Sequence, residues 1–111
     1  MYQFINENSI FQYFGEDDPK MIREMVQIIL DTNVKDLKQL DQLYETQDFV
    51  VLKKRCHRAK PSMSYIGARK TRKILAAMEA NPSQSQELNK TLQFHLLQIE
   101  SELNQFLKSI N

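Results

Sequence analysis

The sequence is short of glycine: only Gly15 and Gly67 occur in 111 residues, together with three prolines. Hairpins and glycine-rich phosphate loops both depend on residues that accept positive φ or a close backbone approach, so there is little material for either. That argues against a nucleotide-driven enzyme. A single cysteine, Cys56, excludes an intramolecular disulfide framework. No apolar run approaches the roughly 20 residues needed to cross a bilayer. The N-terminus, MYQFINENSIF, has neither the basic start nor the continuous apolar stretch of a secretory signal. A soluble, cytoplasmic protein is expected. One further absence is local: no acid occurs between Phe49 and Met78.

What is present suits one compact unit. A chain of 111 residues that is 41% hydrophobic and 26% charged is expected to form a single domain, 1–111, with one core. The net charge of +1 conceals an uneven distribution. Residues 1–48 carry ten acids and four bases, residues 49–78 nine bases and no acid, and residues 79–111 four acids and two bases.

Hydrophobic spacing predicts helix almost throughout. From Ile22, the apolar positions Val26, Ile29, Leu37, Leu40 and Tyr44 recur at helical separations, interrupted by Asn33. One long helix is expected, starting at Asp18-Pro19, where aspartate caps and proline suits the first turn, and ending around 45–47. Asp48 caps the next helix, whose inner stripe is Leu52, Cys56, Ala59, Met63 and Ile66, with Gly67 closing it. A third helix is expected over 68–80, with Ile74, Leu75 and Met78 apolar, stopping at Asn81-Pro82. A fourth, over 83–110, carries Leu88, Leu92, His95, Ile99, Leu103, Phe106 and Ile110 as a heptad-like stripe. A short helix over 6–14, with Ile10, Phe11 and Phe14, is expected to lie across one end. The expected fold is all-α: an antiparallel four-helix bundle with a short additional N-terminal helix.

The two histidines fall on opposite kinds of surface. At 100° per residue, Lys53, Lys60, Val50, Lys54, Pro61, Ser64 and Ala68 lie within about 60° of His57, whereas Leu52, Ala59, Met63 and Ile66 lie more than about 110° away. His57 is therefore expected to point outward, among bases. His95 interrupts an apolar stripe between Leu92 and Ile99, and a boundary histidine holding one hydrogen bond is expected there.

The run His57-Arg-Ala-Lys60-Pro-Ser-Met-Ser64-Tyr-Ile-Gly67-Ala68 resembles the signature of histidine-containing phosphotransfer (HPt) domains. In that family a histidine is followed at three residues by lysine, then by a small residue and serine, and at ten residues by glycine. The upstream segment ILDTNVKDLKQLDQLYETQDFVVLKKRCH resembles the family's second long helix, turn and approach to the histidine. The resemblance covers about residues 12–107. Three positions depart from the pattern: Pro61 stands where glycine is most frequent, Ala59 replaces a common leucine, and Gln47-Asp48 replaces a common Gly-Asp turn. Pro61 removes the amide that would bond the carbonyl of His57, and a bend is expected there.

The resemblance implies a histidine phosphocarrier in a two-component phosphorelay. His57 would accept a phosphoryl group from a receiver-domain aspartyl phosphate and pass it to another receiver. A neutral imidazole nitrogen is nucleophilic near neutral pH, and the resulting phosphohistidine is reactive enough to pass the group on. Lys60, one turn along, would neutralise part of the phosphoryl charge, and Ser64, a turn further, would donate a hydrogen bond. Gly67 either ends the helix or leaves room for a partner. The partners implied are receiver domains of response regulators and hybrid sensor kinases, with the chain itself a monomer. They would bring the Mg²⁺ and most of the rate acceleration, so no cofactor, kinase activity or ATP site of its own is expected. A basic face would attract an acidic receiver pocket. The expected docking surface is an apolar patch of Val50, Pro61 and Tyr65 rimmed by Lys53, Lys54, Arg58 and Lys60.

Four other readings compete. A nucleic-acid-binding bundle would use the same nine bases, but only Phe49 and Tyr65 are nearby aromatics and no recognised module is present. A metal site is disfavoured because Cys56 and His57 diverge by about 100° on one helix without a carboxylate at ligand spacing. The phosphoacceptor domain of a chemotaxis-type kinase and a helical adaptor without phosphotransfer complete the set.

Overall fold

A computed structural model describes residues 2–110; Met1 and Asn111, the ends of the expected domain, lie outside the described residues. Every regular element among them is helical. The elements are α1 (Glu7–Phe14), α2 (Pro19–Ile29), a π-helical turn (Leu30–Val34), α3 (Lys35–Leu37), α4 (Asp41–Glu45), α5 (Phe49–Tyr65), α6 (Arg69–Ala80), a 3₁₀ turn (Pro82–Gln84) and α7 (Gln86–Ser109). The molecule measures 44 × 22 × 19 Å. At 1.5 Å per residue α7 is about 36 Å long, so this one helix spans most of the long axis. No helix among the described residues is long and apolar enough to cross a membrane.

The expected caps form. Asp18 accepts the amide of Met21 at 3.0 Å ahead of Pro19, and Asp48 accepts that of Val51 at 3.3 Å. The long helix expected over 18–47 forms only in part: a π turn distorts it and it breaks after Leu37. At Leu30–Val34 the chain takes a π turn, which inserts one residue into the helical repeat. Core positions therefore run Ile22, Val26, Ile29, Val34, Leu37 and Leu40, and the step of five from Ile29 to Val34 carries the insertion. Asn33, placed in the stripe by simple periodicity, instead accepts a hydrogen bond from the buried Ser62 at 2.5 Å. Then α3 stops at Leu37. The carbonyls freed there find side-chain donors: Arg55 Nη1 reaches those of Asp36 (3.4 Å) and Gln39 (3.3 Å), and Gln93 Nε2 reaches that of Leu37 (2.8 Å). A break without glycine or proline is tolerable because these carbonyls remain bonded.

Helix α5 is central, packing along α6 and touching α1, α3, α4 and the π turn. Its stripe of Leu52, Cys56, Ala59, Met63 and Ile66 is fully buried, in agreement with its spacing. The helix continues through Pro61 to Tyr65, with Pro61 on the exposed side. Both α4 and α5 end in paired reverse bonds of the Schellman type. After α4, Asp48 N bonds Leu43 O (2.9 Å) and Gln47 N bonds Tyr44 O (3.3 Å), with Gln47 at φ 57°. After α5, Ala68 N bonds Met63 O (2.8 Å) and Gly67 N bonds Ser64 O (3.2 Å), with Gly67 at φ 73°. Because the chain turns at Gly67, Ala68 is buried, contrary to its expected place on the His57 face. On α7 the stripe is Leu92, Leu96, Ile99, Leu103 and Phe106; Leu96 joins it and Leu88 lies exposed.

The N-terminal segment is tied down at two places. Glu102 on α7 accepts the amides of Gln3 (3.1 Å), Phe4 (2.9 Å) and Ile5 (3.1 Å). Asn6 then caps α1 through Asn8 N (2.9 Å), while its own amide bonds the carbonyl of Ile66 at 2.9 Å. Helix α1 thus lies across the C-terminal end of α5, with Ile10 buried.

Candidate functional site

On α5, the residues between the buried stripe positions project outward, and His57 is 72% exposed. Helix α6 packs along α5 after the reversal at Gly67, bringing Glu79 near its end up to the middle of α5. Glu79 Oε1 lies 3.0 Å from His57 Nδ1 and 3.0 Å from Lys60 Nζ, and Oε2 lies 3.1 Å from the same ring nitrogen. The three side chains form one cluster in which His57 is open, while Lys60 (23% exposed) and Glu79 (15%) are largely enclosed.

Partial burial pushes the Glu79 carboxyl up. The hydrogen bonds from His57 and Lys60, with the charges of both, outweigh that effect and hold the pKa below the usual glutamate value. An ionised carboxylate only accepts hydrogen bonds, so Nδ1 carries the proton. In the neutral ring the lone pair then resides on Nε2, and the arrangement fixes both tautomer and ring orientation.

Around His57 lies an open groove of about 460 Å³, lined by Val50, Lys53, Lys54, Arg58 and Glu79 as well as His57. Val50, 67% exposed, provides the apolar part of it. Lys53, Lys54 and Arg58 are exposed, as helical geometry places them. Pro61 is exposed on the same helix. The remaining expected site residues go elsewhere. Tyr65 packs its ring against Tyr13 (5.0 Å) and Phe14 (5.7 Å) of α1, so it serves the α1–α5 junction and does not border the groove. Ser64 opens into a neighbouring cavity, which Lys60 also lines. Gly67 leaves no space for a partner: a Cβ there would fall 2.5 Å from Asn6 Cβ and 2.9 Å from Ser9 Oγ. Its bare backbone accommodates the chain's own α1.

Glu79 is the member of this cluster that sequence reasoning missed. Its signal was available: it is the first acid after the basic segment, on the helix that folds back along α5. His95 is the boundary residue expected. Its Nδ1 lies 2.8 Å from the hydroxyl of Thr71, and the ring of Phe4 packs at 5.0 Å. Burial, with the charge of Lys70, lowers its pKa and so favours the neutral ring. Among the described residues no group of three or more His, Cys, Asp or Glu side chains is placed to hold a metal ion. Comparison with protein-family models, curated proteins and solved structures found no match to this chain.

Proposed function

We propose that this chain is a histidine phosphocarrier of the HPt kind, an antiparallel four-helix bundle with α1 added at one end, and that His57 Nε2 is its phosphoacceptor. The observation that carries the reading is the pairing of an exposed imidazole with an enclosed carboxylate at Nδ1. A solvated surface histidine needs no such partner. A nucleophile does: the proton is held on one nitrogen while the other keeps its lone pair facing the groove.

In the transfer, Nε2 attacks the phosphorus of a receiver's aspartyl phosphate. The Nε2–P bond forms, the P–O bond to the aspartate breaks, and that aspartate leaves as a carboxylate. Positive charge develops on the ring as Nε2 gives up its lone pair, and Glu79 stabilises it through Nδ1–H. The second transfer reverses these steps onto another receiver. Lys60 acts partly through Glu79, whose carboxylate it holds in place; its ammonium also lies one turn from His57, within the field felt by an incoming phosphoryl group. The receiver supplies Mg²⁺ and the acidic pocket, which the basic rim of Lys53, Lys54 and Arg58 complements.

The test is incubation with a phosphorylated receiver domain, following acid-labile phosphate on the chain. Wild type and His95→Gln are expected to label, and His57→Gln to remain unlabelled. Incubation with labelled ATP and Mg²⁺ alone should give no phosphohistidine. Labelling of His57→Gln, or self-labelling from ATP, would remove the passive-carrier reading.

A further inference from the structure

Beside Lys60, a second concavity of about 540 Å³ opens between α1, α5 and α6. Lys60 and Ser64 line it from α5, Arg69, Arg72 and Lys73 from α6, and Ser9 from α1. Among the described residues no carboxylate lines it. Lys60 is paired with Glu79, but Arg69, Arg72 and Lys73 form no ion pair among the described residues. The three share one face of α6, at positions i, i+3 and i+4, so their charges converge on the cavity instead of spreading around the helix.

This arrangement works against the fold that holds it. Helix α6 begins at Arg69 after Ala68, which offers no side-chain cap, and its first turn contains no acid. The positive end of a helix is ordinarily met by an acceptor or a negative charge. Here it is met by Arg69 and Lys70. Mutual repulsion and the helix dipole both disfavour the cluster, and an anion seated in the cavity would offset both at once. The cavity is also of a size that takes small molecules. Its α1 wall stands where it does because Gly67 has no side chain to hold Ser9 away.

We infer that this cavity binds a small polyanion of the phosphate class, carrying two or more phosphoryl groups. Arginine forks match phosphate oxygens two at a time, while lysines contribute point charges. The hydroxyls of Ser9, Ser64 and Tyr13 on the lining add hydrogen-bond donors for further oxygens. A single carboxylate would leave most of the three unpaired cations uncompensated, whereas a diphosphate group compensates them together. An acidic polypeptide or a nucleic-acid backbone calls for a stripe of charge along a surface, which this concave cluster does not provide. The site holds no acid to retain Mg²⁺ and no general base, so it binds without breaking the ligand. The inference does not rest on phosphotransfer: His57 lies outside the cavity, and Arg69, Arg72 and Lys73, which carry it, have no part in that reading, although Lys60 and Ser64 on its lining enter both.

The experiment is titration of the isotope-labelled full chain with sodium pyrophosphate at fixed low ionic strength, read by amide chemical shifts and calorimetry. Saturable shifts are expected at Ser9, Ser64 and the amides of 69–73. Arg72→Ala should weaken binding about tenfold, and Lys70→Ala, which removes the same charge outside the cavity, less than about twofold. Both side chains are exposed, and circular dichroism would verify that each variant folds. A sugar bisphosphate that binds more tightly than pyrophosphate would place the phosphates on an organic carrier; equal affinity would assign the site to polyphosphates generally. Shifts spread equally over Lys53, Lys54 and Arg58, equal losses in the two variants, or tighter binding of a glutamate-rich peptide or duplex DNA would overturn the inference.

Discussion

His57 Nδ1 lies 3.0 Å from the Oε1 atom of Glu79, two helices meeting so that an exposed imidazole is held by an enclosed carboxylate. The same oxygen takes a hydrogen bond from Lys60 at 3.0 Å, so the carboxylate joins two residues that the sequence motif places one turn apart.

That geometry makes the roles of Glu79 and Lys60 interdependent. Glu79→Gln keeps an acceptor near Nδ1 but removes the charge, and transfer from a receiver domain is expected to slow about tenfold, the scale of one charge-assisted contact. Lys60→Ala should slow transfer to a similar extent. Because Lys60 acts partly by holding Glu79, the double variant should lose less than the product of the two effects. Nitrogen-15 spectra of the ring supply a readout that a merely structural role would not move: the share of the Nδ1–H tautomer should fall in Glu79→Gln. Purely multiplicative losses and an unchanged tautomer would separate the residues and return Lys60 to a solvated charge.

How far the sequence could be read depended on whether each feature was periodic or relational. The α5 stripe from Leu52 to Ile66, the aspartate caps and the outward direction of His57 followed from spacing and local chemistry alone. The break after Leu37 did not, since no residue there disfavours helix; Arg55 and Gln93 from distant positions satisfy the freed carbonyls. The π turn was visible only as Asn33 falling in an apolar stripe. Glu79 and the diversion of Tyr65 toward α1 are tertiary facts, set by the direction in which α6 returns and by where α1 docks. The positively charged cavity is half legible: the nine bases stand in the sequence, but their convergence depends on that same return.

The two reverse turns after α4 and α5 share a bonding pattern but differ in the residue at positive φ, and opposite substitutions should therefore have opposite effects. Gln47, at φ 57°, carries a Cβ in the left-handed region, so Gln47→Gly is expected to raise stability by about 0.5–1 kcal/mol. Gly67→Ala meets both an unfavourable φ of 73° and the α1 N-cap Asn6, whose Cβ would lie 2.5 Å away, and should cost about 2 kcal/mol or more. Denaturant midpoints would measure both. A neutral Gly67→Ala would mean that α1 does not sit against α5 as described.

Stability should fall on acidification below neutrality through His95. Burial, aided by Lys70, lowers its pKa in the folded chain from the ordinary value of 6.5. The unfolded chain takes up the proton near that value and the folded chain resists it. Between the folded pKa and 6.5 the unfolded state therefore binds more protons, and stability drops as pH falls. Above 6.5 the contribution is present in full. Glu79 acts in the same direction but in a lower window, since its folded pKa lies below 4.5. Melting temperatures of wild type and His95→Gln should differ in slope only within the histidine window and run parallel above and below it; parallel curves throughout would place His95 in water.

Cys56 neighbours His57 in sequence yet should be chemically silent. It points about 100° away, into the core, and is fully buried. Burial pushes its thiol up to about 11, and the nearby charge of Glu79 adds to the effect while Lys60 opposes it. The thiolate is the reactive form, so at pH 8 the native protein offers a thiol that is both inaccessible and protonated. Disulfide-exchange reagents should titrate one thiol at once in denaturant. In native buffer they should react orders of magnitude more slowly, at a rate that follows the opening of α5 and rises in Gly67→Ala. Treatment of the native chain with an alkylating reagent should leave phosphotransfer to His57 intact. Immediate labelling of Cys56 without denaturant would show α5 rotated from the orientation that turns His57 outward, and the site built on that orientation would go with it.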